Sequence, residues 1–384
     1  MLIGFSLSNY ASWQGHATFS MCSFEGNQEH QFSNTLTQSG QSLVKSALIY
    51  GANASGKSNL VQALAKLRQM VLLSNQERNL PEKMQSHRFV VDASKAPVAV
   101  EVAFLLNGSL YRYEVKTIGN FIVEENLQQD EKPLLKRDGR ALFMDESWED
   151  TRSLLDTMPG DELALSRLAA WRFAPAYAVF GWFERLTVIT QDSLSTADSV
   201  LFFRKNPASL QRAIDLLQAA DTGIESVEID GGGGVHTTHT LFSLEGRRAG
   251  VLRLALADYQ SEGTIKLFSL LGPILRAIKD GLPVIIDEMD AKLHTGILRR
   301  LVAMFHSPEN TAGQLVANLH DPLMLEEKIR PDQVWFVEKD SLGRSQLYSL
   351  VDFENLPANS PLTQQYLLGI FGAVPFSKKG KDYE

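Results

Sequence analysis

Apolar and polar positions alternate along the chain in short blocks with two periods. Leu2, Phe5 and Leu7 stand among small and polar residues up to Asn9 and Tyr10, which predicts a first strand and a turn; Ala17 to Phe24 predicts the returning arm of a hairpin. Ala47 to Tyr50 is a short apolar run suited to a buried strand. After a glycine-containing loop the period changes, and Leu60, Leu64 and Leu67 fall on one face of a helix. Ser74 to Lys83 is polar and holds Pro81, so it predicts a connection. Val98 to Leu106 and Leu110 to Thr117 flank Asn107-Gly108, a dipeptide that favours a two-residue hairpin turn, and Phe121 to Leu127 predicts a third strand. From Lys132 the pattern reads as helical periods with polar breaks, over Glu162 to Arg172, Ala176 to Leu186 and Pro207 to Ala219. The run Gly231 to Gly234, between strand-like Ile224 to Ile229 and Val235 to Leu244, reads as a hairpin tip, since no helix start follows it to form a phosphate loop.

The third part of the chain returns to alternating elements. Ser261-Glu262-Gly263-Thr264 precedes a helix over Ile265 to Lys279, with Ser261 placed to cap it. Gly281 to Glu288 predicts an apolar strand that ends in two acids, and Leu315 to Asp321 predicts another strand with His320 at its end.

Composition narrows the class. With 384 residues, 44% hydrophobic and 21% charged, the chain can bury a large core. No apolar run approaches the roughly 18 residues that a membrane helix requires, and Met1 to Tyr10 lacks the basic start of a secretory signal. One cysteine, Cys22, excludes an internal disulfide framework and a multi-cysteine zinc site, which predicts a cytoplasmic protein. The net charge of −8 argues against a surface that coats nucleic acid indiscriminately. The basic clusters Lys132, Lys136, Arg137, Arg140 and Arg247, Arg248, Arg253 read as solvated faces, with local nucleic-acid binding left open.

The candidate chemistry begins at Gly51-Ala52-Asn53-Ala54-Ser55-Gly56-Lys57-Ser58, which has the G-x-x-x-x-G-K-S spacing of a phosphate loop, followed by Asn59 in the first helical turn. A strand before and a helix after it supply the context the motif needs. Glycines let backbone N–H groups turn inward around phosphates, the helix N-terminus adds partial positive charge, Lys57 reaches the outer phosphates and the Ser58 hydroxyl can ligate Mg²⁺. Asp287 at the end of its strand can hold the same Mg²⁺ through water or the Ser58 hydroxyl, while Glu288 can polarise a water that attacks a γ-phosphate. Asp290 follows two residues on, and His320 closes the next strand.

The order of these features resembles the ABC-type ATPases of the soluble SMC, RecF and OLD-like branch, and within it the RloA and AbiL-type ATPases of phage-defence operons. Leu2 to Tyr10, Gly51 to Ser58, Ser261 to Thr264, Ile286 to Asp290, Leu319 to Asp321 and Val334 to Lys339 carry the likeness. It implies an α/β phosphate-loop NTPase with a mixed sheet, an antiparallel β subdomain and an inserted helical lobe. The nucleotide-binding lobe would occupy residues 1–130 and 261–384, and the mostly helical lobe with a β return residues 131–260. It further implies that Ser261 and Gly263 form the signature that reaches the γ-phosphate of a nucleotide held by a second subunit, that Asp290 is the D-loop acid at that interface and that His320 is the switch histidine. ATP, Mg²⁺ and a head-to-tail homodimer, or an assembly of such dimers, follow from the same likeness. Its signature reads Ser-Glu-Gly-Thr and not the transporters' Ser-Gly-Gly-Gln, Lys292 stands after the D-loop, and no glutamine is assigned to the Q-loop. The about 64 residues after His320 are too few for the nuclease region of OLD proteins together with the remaining strands, so a nuclease-like effector is expected as a separate, co-encoded polypeptide. The reading is an ATP-gated dimeric switch in phage defence; the alternatives are a RecF-like DNA-repair ATPase and a nucleotide-binding scaffold without turnover.

Overall fold

The computed structural model describes residues 1–87, 91–220, 223–326, 328–353 and 361–374. Two sheets face each other across one helix. The first has seven antiparallel strands in the spatial order Ala141–Met144, Lys132–Asp138, Phe121–Gln129, Ser109–Ile118, Val98–Leu106, Leu2–Ser8 and Ala17–Ser20. The hairpin expected at Asn107-Gly108 forms with φ of 52° and 89°, the paired positive values of a two-residue turn. The first strand of the chain closes back on Val98–Leu106, with Phe5 opposite Val102.

The second sheet has six strands, ordered Thr187–Ile189, Pro283–Ile286, Gln314–Asn318, Ser46–Tyr50, Val334–Lys339 and Ser345–Ser349. All neighbours run parallel except the last pair. Side chains alternate along a strand, so Ala47 and Ile49 face one core while Leu48 and Tyr50 face another. The first core is shared with Phe5, Val100 and Phe104 of the antiparallel sheet and is filled by Leu60, Leu64 and Leu67 of the helix Lys57–Leu73. The second lies under the helices Glu262–Asp280, Thr295–His306 and Thr196–Lys205, which contribute Phe268, Leu271, Phe305 and Phe203. Burial on both faces explains why these strands read as unbroken apolar runs.

The helical texture expected from Lys132 is corrected. Lys132–Asp138 and Ala141–Met144 are strands that extend the antiparallel sheet, and α-helix begins only at Arg152. Only Leu134, Leu135 and Arg137 of the first of these strands are buried, so its apolar signal is too sparse to show a period. Gly231 to Gly234 form the tip of an antiparallel pair, Ser226–Ile229 with Val235–Phe242, closed by Asp230 accepting from the Gly234 amide at 2.9 Å. Among the described residues no helix is long and apolar enough to cross a membrane.

One packing detail positions the helix that begins beside the site. Pro273 lies inside Glu262–Asp280 and has no N–H to give to the carbonyl of Ser269. Ser199, on the neighbouring helix, shares its hydroxyl proton between Phe268 O and Ser269 O at 2.9 Å each and accepts from the Gly272 amide at 3.2 Å. Gly272 makes this approach possible, because a Cβ there would sit 2.3 Å from the Ser199 Cα. Ser199→Ala is expected to lower stability by about 1 to 3 kcal/mol, the cost of a buried carbonyl without a donor, and Gly272→Ala by about 1 to 3 kcal/mol through overpacking. Denaturant unfolding measures both, and midpoints equal to wild type would contradict the account.

Candidate functional site

The loop Gly51–Ser58 leaves the C-terminal end of a central parallel strand, where α/β sheets bind ligands. Two glycines are required by close neighbours. A Cβ at Gly51 would lie 2.3 Å from Val337 O, and one at Gly56, whose φ is 116°, would lie 2.3 Å from Ser345 Oγ and 2.6 Å from Ser12 Oγ. Those two serines clasp the loop from opposite ends of the chain: Ser345 Oγ lies 2.5 Å from Ser55 O and 2.7 Å from Ser12 Oγ, which also accepts from Asn59 Nδ2 at 2.9 Å. Asn59 is thus a tether of the loop to the first turn of the chain. Asn53 and Ala54 are exposed on the outer arc, and Ser55 is buried.

Lys57 turns back into the loop and donates to Gly51 O at 2.5 Å and Ala52 O at 3.1 Å. Burial brings its pKa down to about 8, against the opposing pull of Asp290, Asp287 and Glu288. Ser58 Oγ donates to Asp287 Oδ1 at 3.1 Å, joining the loop to the end of Pro283–Ile286. Asp290 Oδ2 accepts from the amides of His320 at 2.6 Å and Asp321 at 2.8 Å, so the acidic turn fixes the backbone at the end of the next strand. Burial, and then the Lys57 charge, hold the His320 imidazole below its ordinary pKa, which keeps it neutral at pH 7. Lys57, Ser58, Asp287, Glu288, Asp290 and His320 therefore gather on adjoining ends of three adjacent parallel strands.

Ser261 and Gly263 are brought to the other side of the acidic turn. Ser261 Oγ accepts from Thr264 N at 3.2 Å as the cap of Glu262–Asp280, and Ser261 itself is exposed. A Cβ at Gly263 would lie 2.7 Å from Lys292 O, and Glu262 pairs with Lys292 at 2.7 Å. A cavity of about 720 Å³ separates this helix start from the strand Thr187–Ile189, and Gln191, Lys266, Asp287 and Glu288 are among its walls.

Three residues of this site escape sequence reasoning. Gln191 follows a three-residue strand that pairs parallel with Pro283–Ile286, which brings it to the cavity that Asp287 and Glu288 also line; the strand is too short to be seen by period. Asn318 donates to Asp287 Oδ1 at 2.6 Å, and its only signal is a polar residue closing an apolar strand. Lys266 donates to the carbonyl of Glu288 at 2.6 Å.

The donor set suits Mg²⁺, which takes oxygen ligands, keeps several waters and uses one or two protein oxygens beside substrate phosphates. Ser58 Oγ and Asp287 Oδ1 provide such a pair, and among the described residues no group of three or more His, Cys, Asp and Glu side chains forms an all-protein metal cage.

Residues 46–326 match a family model described as AAA domain, putative AbiEii toxin, Type IV TA system. No protein of curated function matches the sequence. Among solved structures, the chain is similar to an SMC head domain from Thermotoga maritima, with 17% identity, a TM-score of 0.44, and 91% of this chain and 98% of that one covered. It is also similar to an Smc head domain with an extended coiled coil, bound to the C-terminal domain of ScpA from Pyrococcus furiosus, with 13% identity, a TM-score of 0.47, and 91% and 96% covered.

Proposed function

Because the chain belongs to the family described as AAA domain, putative AbiEii toxin, Type IV TA system, we propose that it is a Mg²⁺-dependent ATPase working as an ATP-gated dimeric switch. The observation that carries this reading is the meeting of the phosphate loop with the acidic turn through the Ser58–Asp287 hydrogen bond. Lys57 binds the outer phosphates, and the loop amides orient the chain of phosphates. Mg²⁺ held by Ser58 and Asp287 would neutralise charge on the β- and γ-phosphates. Glu288 takes a proton from the attacking water, while neutral His320 and Gln191 donate hydrogen bonds around the γ-phosphate.

The exposed Ser261–Gly263 turn supports a closed state in which it meets a nucleotide held by a second copy, head to tail. ATP drives closure only by binding that state better than the open one, and contacts in trans supply the difference. The biological role we propose is in bacterial phage defence, as the ATPase of the RloA and AbiL type that controls a separately encoded, nuclease-like effector in the cytoplasm. The family's description, which includes a putative AbiEii toxin of a Type IV TA system, is what bears on this role. A DNA-repair role draws less support, since Arg248 and Arg253 are paired with Glu225 and Glu228 and Lys132 with Asp145.

Phosphate release and sedimentation of the isolated chain test the proposal. The expected result is Mg²⁺-dependent release, conversion of monomer to dimer on adding ATP, and no acceleration by DNA. A monomer–dimer balance indifferent to ATP would sink the switch, and strong stimulation by DNA would favour the repair reading.

A further inference from the structure

Glu288 occupies left-handed backbone, with φ of 48°, and so does Lys292 four residues later, with φ of 64°. Residues that carry a Cβ avoid this region, and one that holds a reactive group there needs surroundings that fix it. The start of the helix Glu262–Asp280 touches both positions. Lys266, one turn into that helix, places its ammonium on the Glu288 carbonyl at 2.6 Å, beside the Ala291 amide at 3.2 Å on the same oxygen. Glu262 pairs with Lys292, and Gly263 lies close against the Lys292 carbonyl. Lys266 and Glu288 are walls of the same cavity.

We propose that Lys266 is a positioning residue for the hydrolytic step: its ammonium holds the Glu288 carbonyl, fixes the turn that presents the Glu288 carboxylate to the cavity, and ties that turn to the helix begun by Ser261. The inference rests on the ATPase reading above. A small misplacement of a catalytic group costs about 10²-fold in rate even when binding is intact, so the loss falls on turnover and not on nucleotide affinity. It also follows that a displacement of the Ser261 turn by a second subunit reaches Glu288 of the same chain through Lys266.

Wild type, Lys266→Met, Glu288→Gln and the double variant are compared for kcat, KM and ATP affinity. Lys266→Met is expected to lower kcat about 10-fold to 100-fold with ATP affinity unchanged. Lys266→Arg, which can still reach the carbonyl, recovers most of the rate. The double variant is no slower than Glu288→Gln, because Lys266 acts through that residue alone. Should Lys266→Met not fold, Lys266→Gln carries the same expectation. Wild-type kcat in Lys266→Met beside an inactive Glu288→Gln overturns the role of Lys266 and leaves the ATPase reading intact. Loss of ATP affinity in step with kcat also overturns it, since that makes Lys266 a ligand of the nucleotide. If Glu288→Gln turns over like wild type, Glu288 is not the catalytic group and the Lys266 proposal fails while the protein remains an ATPase; if wild type itself releases no phosphate, the ATPase reading fails.

Discussion

Glu288→Gln lowers ATP turnover by about 10² to 10⁴-fold, the usual contribution of a general base, while ATP affinity stays near that of wild type. The substitution keeps the size of the side chain. It also leaves the bond that fixes its turn, because Lys266 holds the backbone carbonyl and not the carboxylate. Binding groups on the loop, Lys57 and Ser58, are likewise unchanged, so the effect falls on kcat. If hydrolysis is what empties the closed state, the variant accumulates as dimer once ATP is added, at concentrations where wild type returns to monomer. Single-turnover kinetics and light scattering on the same samples decide this, and turnover at the wild-type rate would remove Glu288 from the chemistry.

Lys57→Ala abolishes measurable ATP binding. The lysine supplies charge-assisted hydrogen bonds of about 1.5 to 3 kcal/mol each, so losing two weakens affinity by about 10² to 10⁴-fold. Without nucleotide the ammonium is satisfied by Gly51 O and Ala52 O, and binding exchanges these carbonyls for phosphate oxygens. Removing the ammonium leaves the buried Gly51 carbonyl without that donor, at a cost of about 1 to 3 kcal/mol, which a folded domain tolerates; what disappears is the rise in melting temperature that saturating Mg-ATP gives wild type. The pH dependence has a definite sign. Burial lowers the Lys57 pKa to about 8 in the free protein, whereas the phosphate-bound lysine must be charged. Affinity for ATP therefore falls as pH rises through about 8, by up to tenfold per unit. Calorimetric titrations between pH 7 and 10 read it directly, and a flat wild-type profile would contradict the assignment.

Legibility in the sequence followed the range over which each feature is encoded. The phosphate loop, with its strand and helix, is contained in residues 46–73, and the acidic turn follows directly from its own strand, so both were readable from spacing. Ser261 was readable as a cap for the same reason, and its hydroxyl accepts from Thr264 N. What stayed hidden depends on sheet order. Thr187–Ile189 reaches the acidic strand only because the two are neighbours in the six-stranded sheet, and nothing near Gln191 announces that pairing. Asn318 and Lys266 are ordinary polar residues on their elements, distinguished only by the atoms they meet across the turn. The strands Lys132–Asp138 and Ala141–Met144 were missed because an edge that buries few side chains has almost no periodic signal.

The strand carrying the phosphate loop has its two sheet neighbours in Gln314–Asn318 and Val334–Lys339, and its serine clasp closes with Ser345. During synthesis on the ribosome the loop thus emerges early, with Ser12 already made, but waits for residues 314–345 before its two sheet neighbours and Ser345 can brace it. A nascent chain halted before Gln314 holds the whole motif and lacks the architecture that makes it grip. Translation itself thereby delays nucleotide binding until Ser345 has been made.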